Sequence, residues 1–174
     1  MRHIVSQAAE PFLAHNGQLE VHQVYAAHDN VIWIFRCLQT GETAVVDGPD
    51  ASSVLQYTEA NELTPTMILN THTHGDHIGI NFDLMRRGLL GDLRVVGRGA
   101  VPGLTQEVSE GAQVRLGESV GRVMLTEGHL DNHVSYVFGD LLFCGDALFG
   151  GGCGRLFRGR RATEADSKHR FPVL

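Results

Sequence analysis

Three imidazoles and a carboxylate stand in six residues of the segment Asn70-Thr71-His72-Thr73-His74-Gly75-Asp76-His77, directly behind the apolar run Thr66–Leu69. That run reads as a short buried strand, so the polar groups leave the interior together at one strand end. In an extended segment residues i and i+2 share a face, which aims His72 and His74 at one point. Gly75 lets the chain turn toward a helix start, so Asp76 and His77 point away from the first pair and can serve a second centre. HxHxDH is thus a layout for two neighbouring metal ions on one loop. The alternative is a set of solvated loop polars or a capping cluster, and the density of ligand types behind a buried strand disfavours it.

Two more positions fit the same logic because each follows an apolar strand: His129 after Val123-Met124-Leu125, and Asp146 after Leu141-Leu142-Phe143-Cys144. His133, four residues after His129, reads as a partner of a ligand or a packed polar residue at the base of Val134–Phe138. His3, His15, His22 and His28 read as ordinary surface or edge residues.

Around these points the chain reads as a mixed α/β fold. Strands are expected at Leu19–Tyr25, Val31–Phe35 and Thr43–Val46, forming an antiparallel meander. Further strands are expected at Thr66–Leu69, Arg94–Gly97, Val114–Leu116, Arg122–Leu125, Val134–Phe138 and Leu141–Cys144, the last two joined at Gly139-Asp140. Helices are expected from Ala51 to Asn61, capped by Asp50 or Ser52, and from Asn81 to Arg87, stopped by Gly88.

The chain has 174 residues, room for one domain but not two cores, and 43% of them are apolar. Its net charge of −6 argues against nucleic acid as a partner. Six of the 14 cations and two of the 20 acidic residues lie in 155–174, leaving +4 there and −10 on residues 1–154. The expected organisation is a domain over 1–159 and an atypical basic tail over 160–174. No run approaches the ~18–20 apolar residues of a membrane span, and the N-terminus lacks a signal core, so a cytoplasmic protein is expected. Cys37, Cys144 and Cys153 imply no disulfide framework.

From Asp29 to Gly159 the chain resembles the metallo-β-lactamase superfamily, and within it glyoxalase II, the hydroxyacylglutathione hydrolases. The resemblance rests on Asp29-Asn30-Val31-Ile32-Trp33, on Gly41 to Asp47, on Ile68 to Gly79 around HxHxDH, and on Thr126-Glu127-Gly128-His129 with Ser135-Tyr136. Gly145-Asp146-Ala147-Leu148-Phe149 leading into Gly152-Cys153-Gly154-Arg155-Leu156-Phe157 points to the glyoxalase II branch.

The resemblance implies an αββα sandwich with a binuclear centre, zinc most often, with iron or manganese in some members. His72, His74 and His129 match the ligands of the first ion, Asp76 and His77 those of the second, and Asp146 the bridging carboxylate. Asp76 and Asp146 thereby carry the catalytic carboxylates. Arg155 and Phe157 match positions that touch the glutathione part of the substrate, with Cys153 beside them. The implied reaction is hydrolysis of S-(hydroxyacyl)glutathione thioesters, such as S-lactoylglutathione, to a hydroxy acid and glutathione. An iron-dependent persulfide dioxygenase and a non-catalytic metal-binding or interaction protein are the competing readings.

Thr73, Ile80 and Glu127 depart from common family residues without touching a ligand. In the family a helix, a strand with a seventh ligand histidine and a helical domain follow the bridging aspartate. None of these is recognisable in the 28 residues after Asp146, and His169 reads as a solvated tail residue. The expectation is a sandwich whose second half is incomplete at the C-terminus, a weakened second ion and an exposed sheet that favours self-association.

Overall fold

Alternation along the strands sorts the apolar residues onto two faces. In the computed structural model, which describes residues 9–27, 29–149 and 152–156, β1 (Phe12–Ala14), β2 (Leu19–Ala26), β3 (Asn30–Cys37) and β4 (Thr43–Val46) form an antiparallel meander. α1 (Ser52–Ala60) and α2 (Gly75–Arg86) then make the crossovers that parallel pairing requires, setting β5 (Pro65–Leu69) beside β4 and β6 (Arg94–Gly97) beside β5. A two-residue β7 (Gln106–Glu107) closes this seven-stranded sheet. β8 (Gln113–Leu116), β9 (Ser119–Leu125), β10 (Val134–Phe138) and β11 (Leu141–Phe143) form a second, four-stranded antiparallel sheet.

Phe35, Ala44, Val46, Met67, Leu69 and Val96 face the second sheet and pack on Val134, Tyr136 and Phe138. Their sequence neighbours Ile34, Val45, Ile68 and Val95 face the helices and pack on Val54, Ile78, Ile80 and Leu84. The first sheet is thus buried on both sides, which is why its parallel strands read as continuous apolar runs. Rings fill the gap between the sheets: Phe35 stacks on Phe143 at 4.7 Å and meets Phe138 edge-on at 5.0 Å. Each such pair adds about 0.5–1.5 kcal/mol to the area it buries. The Tyr136 hydroxyl donates to the Asn70 carbonyl at 2.8 Å, fastening the second sheet to the strand end that carries the histidines.

The layers are those of the expected sandwich, with helices on the outer face of the first sheet. Among the described residues the outer face of the second sheet carries no helix. No described helix is long and apolar enough to cross a membrane.

Three local expectations are corrected. α2 begins at Gly75 rather than at Asn81, so Asp76 and His77 lie in its first turn. Gly75 and Gly79 weaken the helical signal, yet a Cβ on Gly79 would collide with the Pro49 carbonyl, so glycine is what allows the helix to dock there. α1 has Ala51 at its N-cap with no side-chain cap; Asp50 instead accepts from the Ser52 N–H at 2.7 Å. His22 is not a surface residue: it is 4% exposed, with Nδ1 3.1 Å from Tyr57 Oη and Nε2 3.2 Å from Glu20 Oε2. β1 and β7 were not legible in the sequence, being three and two residues long.

Candidate metal centre

The histidine loop is held from beneath by carboxylate and amide groups. β5 ends at Leu69, and Asn70, Thr71 and His72 that follow are buried. Buried backbone and hydroxyl groups need partners, and Asp47 at the end of β4 supplies them. Its Oδ1 accepts from the Thr71 N–H at 2.8 Å and its Oδ2 from the Thr71 hydroxyl at 2.7 Å. Asn70 and Asn81 exchange amide hydrogen bonds at 3.1 and 2.9 Å, and Asn70 also donates to the His77 carbonyl at 3.1 Å, which ties the start of α2 to the strand end.

On this base the extended turn from His72 to His74 brings two rings onto one point, Nε2 of His72 lying 3.0 Å from Nδ1 of His74. His129, from the β9–β10 connection, adds Nε2 at 2.8 Å from the same His74 nitrogen. Its other nitrogen, Nδ1, lies 2.7 Å from the Arg155 carbonyl, which fixes the ring. Asp146 sits in a short 3-10 turn after β11. Its Oδ2 is 3.1 Å from His129 Nε2 and 4.0 Å from His72 Nε2, while Oδ1 is 3.2 Å from His77 Nε2. Asp76 Oδ2 approaches the same His77 nitrogen at 3.6 Å. Asp146 therefore faces both groups at once.

The donor atoms of His72, His74, His129 and Asp146 all lie within 4.8 Å of one another and could hold a metal ion. The chemistry of the set fits one. Two ring nitrogens crowd His74 Nδ1, and a nitrogen carries at most one proton, so lone pairs are turned toward a common centre. Burial, with the neighbouring His77 and His133 rings, lowers His72 to about 2, and burial with His129 lowers His74. Both rings are neutral near pH 7, the form that binds metal.

His77 is different. Burial opposes its charge, but hydrogen bonds to Asp146 and Asp47 outweigh this and raise it to about 10. The same His77 contact, against burial, lowers Asp146 to about 2. Asp47 Oδ2 lies 2.9 Å from His77 Nδ1, leaving Nε2 to face Asp146 and Asp76.

The structure brings together six residues singled out in the sequence: His72, His74, His129, Asp76, His77 and Asp146. His133 stays outside the cluster; it is fully buried, its Nδ1 is 2.7 Å from Thr126 Oγ1, and its ring stacks on His72 at 4.8 Å. Cys153 and Arg155 are exposed, and it is the Arg155 backbone that reaches His129. Phe157 and the proposed tail over 160–174 lie outside the described residues. Between Cys153 and Arg155, Gly154 donates its N–H to the Asp146 carbonyl at 2.7 Å, and a Cβ there would collide with that oxygen. Asp47, Thr71, Asn70 and Asn81 were not foreseen as parts of the site. Asp47 carried one usable signal: like Asp146, it is a carboxylate that ends an apolar strand.

No family model matches the chain. Over 164 residues it is 39% identical to a protein named hydroxyacylglutathione hydrolase from Rhodospirillum rubrum, covering 90% of this chain and 62% of that one. A hydroxyacylglutathione hydrolase from Vibrio parahaemolyticus is 43% identical over 158 residues, again with 90% and 62% covered. The chain thus spans about three fifths of the length of these relatives. Among solved structures, ETHE1 from Myxococcus xanthus superposes with a TM-score of 0.67 at 30% identity, over 78% of this chain and 60% of that one. A metallo-β-lactamase from Staphylococcus aureus gives 0.65 at 24% identity, over 79% and 46%. Its two-sheet sandwich, with a histidine and aspartate cluster at one rim, has the metallo-β-lactamase fold, and over the part it shares with them the chain is similar to the hydroxyacylglutathione hydrolases, the glyoxalase II enzymes.

Proposed function

We propose that the chain carries the centre for metal-dependent hydrolysis of S-(hydroxyacyl)glutathione thioesters, such as S-lactoylglutathione, to a hydroxy acid and glutathione. One observation carries this reading: the Asp146 carboxylate stands between two ligand groups, 3.1 Å from His129 Nε2 on one side and 3.2 Å from His77 Nε2 on the other. His72, His74 and His129 would hold one ion, zinc in this reading, and Asp76 and His77 a second, with Asp146 available to both groups. When bound, such a pair supplies a water acidified toward neutrality and a Lewis acid for the thioester carbonyl.

The protein's part is positioning and proton control. Asp47 and the Arg155 carbonyl fix the His77 and His129 rings so that their Nε2 atoms face inward. Asp146 and Asp76 supply negative charge beside the attacking water and orient its proton. The leaving group is a thiolate whose thiol has a pKa near ~8.5, so no strong general acid is required. Arg155, exposed at the rim, meets the anionic glutathione. Metal content and S-lactoylglutathione turnover measured on one preparation test the proposal. Bound zinc with turnover that is lost in His74→Ala supports it, and metal-loaded chain without turnover refutes it.

The second reading, an iron-dependent persulfide dioxygenase, is favoured by one feature. The four-residue cluster of His72, His74, His129 and Asp146 is by itself enough for a single ion. Iron as the resident metal, with oxygen consumption on glutathione persulfide, would select it.

A further inference from the structure

On the His77 side of the site the gap between the two sheets opens into a cleft of about 770 Å³. Asp47, Asp76, His77 and Asp146 line its polar part. Asp29 and Asn30 stand at another part of its wall, and an apolar part is formed by Val31 and Trp33 of β3, Leu142 of β11, and Leu148 and Phe149 beyond it. Leu142, Leu148 and Phe149 are 48%, 48% and 49% exposed, three large apolar side chains left uncovered around one polar site. The opposite side of Asp146 is built otherwise. There His129 leans on the backbone of Arg155, and neither residue lines the cleft.

The site is therefore polarised about Asp146. An anionic group is drawn to the Arg155 side and repelled from the cleft, whose described lining holds four aspartates, counting Asp29, and no lysine or arginine. A thioester laid across the centre with its glutathione toward Arg155 sends its acyl group over His77 and into the apolar part of the cleft. Pockets of roughly 300–1,000 Å³ take drug-sized ligands, and each methylene buried there is worth about a fourfold gain in affinity.

We propose that this cleft is an acyl subsite, and that the chain prefers thioesters of apolar aliphatic acyl groups of about six carbons, with Trp33, Leu142, Leu148 and Phe149 setting the preference. The inference rests on the thioester reading above. It adds the acyl class and the residues that select it.

The chain has one tryptophan, and it lines this cleft, so its emission reports occupancy. The zinc-supplemented chain is titrated with S-methylglutathione and S-hexylglutathione, and with the methyl and hexyl thioethers of N-acetylcysteamine, none of which carries a hydrolysable bond. The hexyl ligand is expected to bind at least about tenfold tighter than the methyl ligand in both series, with a change in Trp33 emission. Leu142→Asp, at a half-exposed position, is expected to bring that ratio within about twofold, with an unchanged melting temperature as the control for folding. Equal hexyl and methyl affinities overturn the proposal, as does absence of any binding, or a gain that survives both Leu142→Asp and Phe149→Asp. A dimer that covers the cleft and is blind to the hexyl ligand, seen by sedimentation, overturns it as well. A hexyl gain in both series, with no advantage of glutathione over N-acetylcysteamine, leaves the subsite standing and removes glutathione from the proposed function instead.

Discussion

The two groups of donors that meet at Asp146 are built on opposite electrostatic plans. On one side His72 and His74 are kept neutral by burial and by neighbouring rings, His77 and His133 beside His72 and His129 beside His74, so nothing must leave before a cation arrives. On the other, His77 stands between Asp47 and Asp146 and holds a proton to about 10. A cation there must displace that proton, and among the described residues only Asp76, His77 and Asp146 receive it. The contrast teaches that adjacent ligands on one loop need not make equivalent sites: the carboxylates behind each ring decide whether a proton already sits there.

Removing the shared carboxylate tests the comparison most severely. Asp146→Ala should lower thioester turnover by on the order of 10³ or more, because both groups lose their common ligand; a variant with near-normal turnover and metal content would break the two-group description. Next in size, calorimetric titration of metal-free chain with zinc near pH 7 should give a first ion at least about tenfold tighter than a second, and the second should tighten with rising pH as His77 gives up its proton. Two ions of equal affinity, or a pH-independent second step, would remove the asymmetry. Asp47→Asn should weaken the second ion about 10- to 100-fold and the first much less, since Asp47 orients His77 directly.

The same contrast predicts a two-sided stability curve for the metal-free chain. His72 and His133 are lowered to about 2 and about 4, His133 chiefly by burial. Below ~6.5 the unfolded chain takes up protons that the folded chain refuses, and stability falls as pH drops, by up to about 1.4 kcal/mol per pH unit for each histidine. His77 acts in the opposite sense, because its folded value lies above the unfolded one. Its contribution is whole below ~6.5 and is lost as pH rises toward 10. Denaturant melts from pH 4 to 10 should therefore peak near ~6.5, and a monotonic rise would contradict the charge assigned to His77. The smallest effect is expected for Tyr136→Phe, about 1 kcal/mol of stability from the lost bond to the Asn70 carbonyl. Both zinc steps should shift equally, since that bond supports the whole strand end.

Much of this architecture could be read from residue order. The strands at Thr43–Val46, Arg94–Gly97 and Val134–Phe138 fall where their short apolar runs put them. His72 and His74 share a face because a strand end has a period of two. The start of α2 could not be read, because Gly79 looks like a helix breaker until Pro49 is found packed against it. His22 misled for a related reason: its polarity pointed outward, and only the fold supplies Tyr57 and Glu20 as buried partners.

Ligand chemistry, the loop that bears it and the mixed α/β character were set by sequence alone, because periodicity and spacing act within a few residues. The tertiary structure decided the rest. It placed Asp47 under His77, carried His129 and Asp146 to the same rim from a second sheet, and left an apolar cleft beside them. Such contacts join residues far apart in sequence, 30 positions from Asp47 to His77 and 69 from His77 to Asp146. No local pattern encodes them; packing two sheets face to face does.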